Sequence, residues 1–326
     1  MLEGKQLILA TKQFAQENRT TSWVHLLSTL LLLVGTLLST FFVPNWYFKL
    51  PISILGGLLM IRMFIIYHDH QHHAILNKSA IANAIMIVFG VYILAPSSIW
   101  KRSHDYHHSH NSKLFSASIG SYPIASKAKF AAMSKKEQKI YLAVRHPLTI
   151  LFGYFSMFIF GMCINSFMSA PRKHYDSLIS LILHFSISAL LIIFLGWQAW
   201  FFAVGIPHFI ASCMGAYLFY AQHNFPTTTF AENKDWKYEK AALESSSYMV
   251  MSPLMNWFTG NIGYHHIHHL NARIPFYRLP EAYKAIPELQ NAKTTSLKIK
   301  DVIACFRLKV WDPERDKMVS LKEAFS

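Results

Sequence analysis

Cysteine is nearly absent: the 326 residues contain three. Cys163, Cys213 and Cys305 are far apart and form no C-x-x-C pair. That spacing gives no disulfide framework, and leaves buried thiols acting as small hydrophobes. Charge is also scarce, at 15% of residues, and acid is scarcer than base: 17 Asp and Glu against 31 Lys and Arg, a net charge of +14. Nucleic-acid binding could explain the excess, but no nucleic-acid motif is present. The bases instead sit in the polar stretches between apolar runs, among them Lys101, Arg102, Lys135, Lys136, Arg172 and Lys173. That is the positive-inside pattern of membrane proteins, helped by anionic headgroups. Residues 1–22 are polar and the first apolar run lacks an A-x-A-like end, so no cleaved secretory signal is expected and that run should remain as an anchor.

Apolar residues make up 52% of the chain. Their distribution is more telling than their amount, since about 20 consecutive apolar residues are needed to cross the hydrocarbon of a bilayer. Candidate segments are 23–43, 48–67, 81–97, 147–169 and a closely spaced pair within 178–221, which divides into 178–196 and 198–221.

Histidine is the conspicuous residue type. Twelve of eighteen lie in three stretches: His68-Asp-His-Gln-His-His73, His104-Asp-Tyr-His-His-Ser-His110 and His265-His-Ile-His-His269. Neutral imidazole is the commonest protein ligand for transition metals. On a helix, residues three or four apart share a face. His68 and His72, then His104, His107 and His108, then His265, His268 and His269 can each aim at one point. Eight imidazoles are too many for one ion and suit two. His223, at the end of the last apolar segment, is a ninth candidate. Asp69 and Asp105 are candidate acceptors that orient imidazoles from another box. His70, His73, His110 and His266 sit off the ligand faces, and His25, His146, His174, His184 and His208 are isolated.

A shared metal centre requires all three boxes on one side of the bilayer. Segments 23–43 and 48–67 form a hairpin that delivers the first box. Segment 81–97 cannot cross without separating the first box from the second. One of the three later segments must also stay on one side, and 147–169 is the choice, because Arg172 and Lys173 end it. Four spanning helices remain, with the boxes and both termini cytoplasmic. Within 297–310, Ile299, Val302, Ile303, Phe306 and Val310 share a helical face flanked by bases, as on an amphipathic helix lying on a membrane or on a cap.

The order H-x3-H, H-x2-HH, H-x2-HH between apolar hairpins resembles the integral-membrane fatty acid desaturases. Gly260-Asn-Ile-Gly-Tyr-His-His-Ile-His-His-Leu-Asn-Ala-Arg-Ile-Pro-Phe-Tyr-Arg-Leu279 is similar to the third-box region of the acyl-lipid, methyl-end branch, and Leu218-Phe-Tyr-Ala-Gln-His-Asn-Phe225 to the segment before it. The resemblance covers roughly residues 50–311. It implies two non-haem iron ions, O2 as co-substrate, and electrons from a separate ferredoxin or cytochrome b5-type donor. It implies the iron-ligand role for His68, His72, His104, His107, His108, His223, His265, His268 and His269. Front-end desaturases usually carry Gln where His265 stands, and often a fused H-P-G-G cytochrome domain, whereas only Arg145-His-Pro-Leu148 occurs here. Acyl-CoA desaturases carry Asn at the position of Phe219.

The expected architecture is an all-α integral membrane protein with four transmembrane helices, membrane-lying helices and a cytoplasmic His-rich helical cap. Its parts are an N-terminal segment (1–22), a membrane core with the first two boxes (23–223) and a cap with the third box and C-terminal amphipathic helix (224–326). The expected activity is an O2-dependent di-iron oxidoreductase introducing a cis double bond into the acyl chain of a membrane lipid, in the bacterial inner or plasma membrane. A hydroxylase on the same scaffold shares the first hydrogen abstraction, and no residue separates the two. A metal transporter would place its ligands along a path inside the spans.

Overall fold

A computed structural model describes residues 2–114, 121–232 and 234–326. Among them, four helices are long and apolar enough to cross a membrane: Arg19–Phe42, Trp46–Gln71, Tyr175–Leu195 and Trp197–Ala221. These are the four expected spans. They form two hairpins, turned by the three residues 43–45 and by Gly196 alone. The first helix begins four residues before its apolar run because Asn18 caps it, its side chain accepting from Thr21 N at 3.0 Å. The second ends later than its apolar run, so the first histidine box occupies its last turn instead of a following loop.

The two inner spans, Trp46–Gln71 and Trp197–Ala221, carry the packing, while the outer two leave most of their surface to lipid. Phe194 and Ile193 are 75% and 72% exposed, as suits a lipid-facing helix. Close approach of the inner pair depends on Gly57, where a Cβ would lie 2.7 Å from Ile210 Cβ. Arg62 is held inside the second span by neutral partners. It donates to Thr29 Oγ1 and to the Trp257 carbonyl, and its guanidinium lies 4.1 Å from the Trp257 ring centre.

Neither remaining apolar segment is a straight span. Ala80–Tyr92 is followed by a 93° bend into Ser97–His110, which bears the second box. Pro96 fits the break, since it disfavours helix in the residue before it. Segment 147–169 divides into Pro147–Leu151 and the short helix Tyr154–Ser169, which has widened π turns over Tyr154–Asn165. Tyr154 OH lies 2.5 Å from His184 Nε2 on the third span, and Ser177 Oγ donates to the Met162 carbonyl at 3.3 Å. The second piece therefore runs antiparallel to the third span.

Most of the remaining chain forms a cap of short helices. Its few strands are Tyr248–Val250 parallel to Thr294–Ser296, and Val310–Asp312 antiparallel to Lys317–Val319. The N-terminal segment is part of this layer: Arg278 Nη1 donates to the Gln13 and Gln16 carbonyls, each at 3.0 Å, and Asn18 N donates to Tyr277 OH. Fully buried Arg145 ties cap to core, donating to the Pro123 carbonyl at 2.8 Å and to Asn224 Oδ1 at 2.5 Å. The C-terminal amphipathic helix is Ile299–Arg307, shorter than its sequence pattern. Its Phe306 stacks on Tyr220, and Ile299 is 79% exposed.

Candidate metal centre

The three boxes arrive on the last turn of the second span, on Ser97–His110 and on the short helix His265–Leu270. The loop before the third box is pressed onto the second span at Gly260, which has φ +50° and where a Cβ would meet Ile65 Cγ2 at 2.7 Å. Tyr238 OH donates to the His269 carbonyl at 2.5 Å and secures the end of the box helix.

The nine sequence-derived candidates meet in two sets. One contains His68, His72, His104, His108 and His268; the other His107, His223, His265 and His269. Within each set the donor nitrogens all lie within 4.8 Å of one another. The second and third boxes each serve both sets, because neighbouring residues on a helix point about 100° apart. His107 and His108 therefore face different centres.

Many contacts are Nε2 against Nε2. In the first set, His68 lies 2.9 Å from His104, His108 3.1 Å from His104, and His268 3.0 Å from His108. In the second, His107 lies 3.0 Å from His223, His265 2.9 Å from His223, and His269 3.1 Å from His265. Each neutral ring has one N–H, so chains of such contacts cannot all be hydrogen bonds. Nitrogens about 2.1 Å from one ion and at right angles to each other would lie about 3.0 Å apart, which is the spacing observed.

Protonation favours the same use. Burial, then neighbouring imidazoles, hold His72, His104, His107, His108, His265, His268 and His269 well below the ordinary histidine pKa. Burial pushes His223 down to about 4. Neutral rings are the ligating form. Several have their outer nitrogen fixed, which presents Nε2 to the centre. His68 Nδ1 faces Asp69 Oδ1 at 3.0 Å, His107 Nδ1 faces Ser121 Oγ at 2.6 Å, and His223 Nδ1 faces the Ser245 carbonyl at 3.0 Å. The residues present thus fit two metal ions with imidazole ligands.

The two aspartates part company. Asp69 is buried and bonds His68 of its own box instead of an imidazole of another, while its second oxygen accepts from Phe276 N at 2.7 Å. Asp105 faces away from the imidazoles and pairs with Lys101 at 2.9 Å, with its side chain half exposed. Lys101 stands four residues earlier, on the same helical face, and captures it. The off-face histidines take other partners: His266 Nε2 lies 3.0 Å from the Leu289 carbonyl and His110 stacks on Tyr106. His208 sits against the Val204 and Tyr92 carbonyls. Trp100, stacked on His104 at 4.5 Å, was readable as its i, i+4 neighbour. Ser121, Ser245 and Tyr238 carried no such signal.

A cavity of about 500 Å³ opens against the histidines. His68, His104 and His265 line it, and Phe64, Ile93, Phe158 and Leu218 are among its apolar walls. Phe219 also lines it, with its ring 5.0 Å from that of His107. An elongated apolar ligand placed there would bring carbon atoms beside both sets.

Comparison with known proteins agrees with this arrangement. The profile of the family described as "Fatty acid desaturase" matches residues 44–297. A Bacillus subtilis protein named "Fatty acid desaturase" is 28% identical over 98% of this chain and 91% of its own length. An "sn-1 oleoyl-lipid 12-desaturase" of Synechocystis is 24% identical over 85% of this chain and 79% of its own. A "Delta(12)-fatty-acid desaturase" of Arabidopsis thaliana is 22% identical over 76% of this chain and 70% of its own. The chain, with its helical membrane hairpins and paired histidine sets, belongs to the fatty acid desaturase family of oxidoreductases.

Proposed function

We propose that this protein is an O2-dependent di-iron desaturase that introduces a cis double bond into the acyl chain of a membrane lipid, with electrons from a separate ferredoxin or cytochrome b5-type protein. The observation that carries the reading is the junction of nine converging imidazoles with an apolar cavity of lipid-chain character. His68, His72, His104, His108 and His268 would hold one iron, and His107, His223, His265 and His269 the other. Bound iron would supply the redox chemistry in which O2, two electrons and two protons accept two hydrogens from adjacent methylenes and leave as two waters.

The protein's own groups prepare that reaction. Asp69, Ser121 and the Ser245 carbonyl each hold an outer imidazole N–H and so aim the ring. Apolar walls keep water from the methylenes and bind the chain by hydrophobic burial. The relatives that act on oleoyl-lipid support a lipid-bound acyl chain over a soluble thioester. The hairpin turns at the end remote from the boxes, 43–45 and 196, carry no basic residue, whereas the box-bearing side is rich in them. The positive-inside rule therefore favours a cytoplasmic cap over 224–326, a cytoplasmic segment 1–22 and a membrane core over 23–223.

The test is expression in a bacterial host of simple lipid composition, with and without oxygen, and mass spectrometry of its acyl chains. A new cis double bond that requires O2 is expected. A hydroxylated chain would move the assignment to the hydroxylase chemistry of the same scaffold, and an unchanged profile beside abundant membrane-bound protein would refute it.

A further inference from the structure

The walls of the cavity are uneven. The second span lines it with Met60, Ile61, Phe64 and Ile65, whereas two other helices contribute Gly161 and Gly215. A Cβ on Gly215 would meet no atom within 4 Å, and one on Gly161 would meet only the Ser156 carbonyl oxygen, at 3.4 Å. Neither residue has a positive φ. Neither lies at a close helix crossing, in contrast to Gly57 and Gly153, where a Cβ would lie 2.7 Å from Ile210 and 2.9 Å from Ala216. Glycine inside a helix weakens it relative to alanine, and at both positions that cost is borne with no positive φ and no close crossing to require it. What each supplies is space in the cavity.

The position along the cavity gives that space a role. Gly215 precedes the helix end at Ala221 by six residues, about 9 Å at 1.5 Å per residue, and His223 stands in the turn just beyond. Ala211, one turn deeper, and Ile93 still line the cavity. An acyl chain whose reacting carbons lie beside His68, His104 and His265 must run its remaining length past Gly215 to reach them.

Resting on the desaturase reading above, we infer that Gly161 and Gly215 are specificity-determining residues: the gap they leave sets the longest acyl chain the protein accepts. A branched side chain at either position would fill the gap. Shorter chains would still reach the histidines, and longer ones would lose the space for their last methylenes.

Full-length protein carrying Gly215→Leu or Gly161→Leu is compared with wild type and with Gly35→Leu, a change on the lipid-facing side of the first span where a Cβ also meets nothing. Each is reconstituted in vesicles of phospholipids whose acyl chains form a homologous series with a photoreactive group at the methyl end. Crosslinking to the cavity floor around Ala211 and Ile93 is read by peptide mass spectrometry, and the chain-length profile of new double bonds is read in parallel. A methylene too many in an apolar pocket changes discrimination by about 10–200-fold, so floor labelling by the longest chain relative to shorter ones should fall at least about tenfold in both cavity variants. Gly35→Leu should match wild type. The desaturation profile should shift in the same direction. A length profile unchanged in both cavity variants, an equal loss at every length, or no cavity labelling of wild type would overturn the inference. Length-dependent labelling without any double bond in wild type would leave it standing and refute the desaturase reading instead.

Discussion

Replacing Asp69 with Asn tests how the histidines are aimed. The carboxylate is buried and shared: Oδ1 faces His68 Nδ1 at 3.0 Å, and Oδ2 accepts from Phe276 N at 2.7 Å. It therefore couples one imidazole of the first set to the loop that follows the third box. Asn has the same shape but only one acceptor oxygen, so one of the two N–H groups must face its NH2. A buried donor left without a partner costs about 1–3 kcal/mol. Loss of the group that holds a metal-ligating imidazole typically lowers metal affinity or activity by about 10–100-fold. Asp69→Asn should thus unfold at lower temperature and lose iron from the first set at a chelator concentration about 10–100-fold below that needed for wild type. The assay is iron per chain by plasma mass spectrometry after equilibration with graded chelator, alongside thermal unfolding. Asp105→Asn, which alters only an exposed pair with Lys101, should behave as wild type. Equal iron retention by Asp69→Asn and wild type across the series would show that Asp69 does not hold His68 for metal binding.

His268→Ala and His265→Ala each remove one member of a different set, and both should abolish double-bond formation while leaving the protein in the membrane. Retained activity in either would contradict its role. For metal-free protein, folding should weaken in acid. The pKa of His223 is depressed from an unfolded 6.5 to about 4, so the unfolded state binds more protons between those values. The contribution of His223 is present above pH 6.5 and is lost as pH drops toward 4, by about 3 kcal/mol. Unfolding temperatures measured from pH 7 to 4.5 after chelation check the sign. Arg145→Met leaves the Pro123 carbonyl and Asn224 without their buried donor, and proteolysis within 308–326 should become faster at unchanged membrane insertion. Single cysteines at Asn45 and Gly196 should label from one side of the membrane, and those at Lys78 and Lys284 from the other.

The spans and the ligand candidates were legible for different reasons. Apolar length marked the four crossings, and the need to bring the boxes together removed 81–97 and 147–169 from the crossing set; those segments are bent and broken in the structure. Helical spacing nominated the histidines that the fold gathers, and the end of the last span nominated His223. The division of those histidines between two sets was implicit in the adjacency of His107 and His108, which a helix turns apart. Asp105 misled because adjacency to a histidine does not set where a carboxylate points, and Lys101 one turn earlier competes for it. The cavity was not legible at all. Its walls come from several segments distant in sequence, so no local pattern marks Gly161 and Gly215 as lining it together.

The two-metal centre is tested most directly by the metal content of purified wild-type protein, measured as iron per chain beside zinc, copper and nickel. Two irons per chain, falling to one or fewer in His268→Ala and in His265→Ala separately, is the result that the two imidazole sets predict. One ion per chain in wild type, or a metal content unaffected by either substitution, would contradict it.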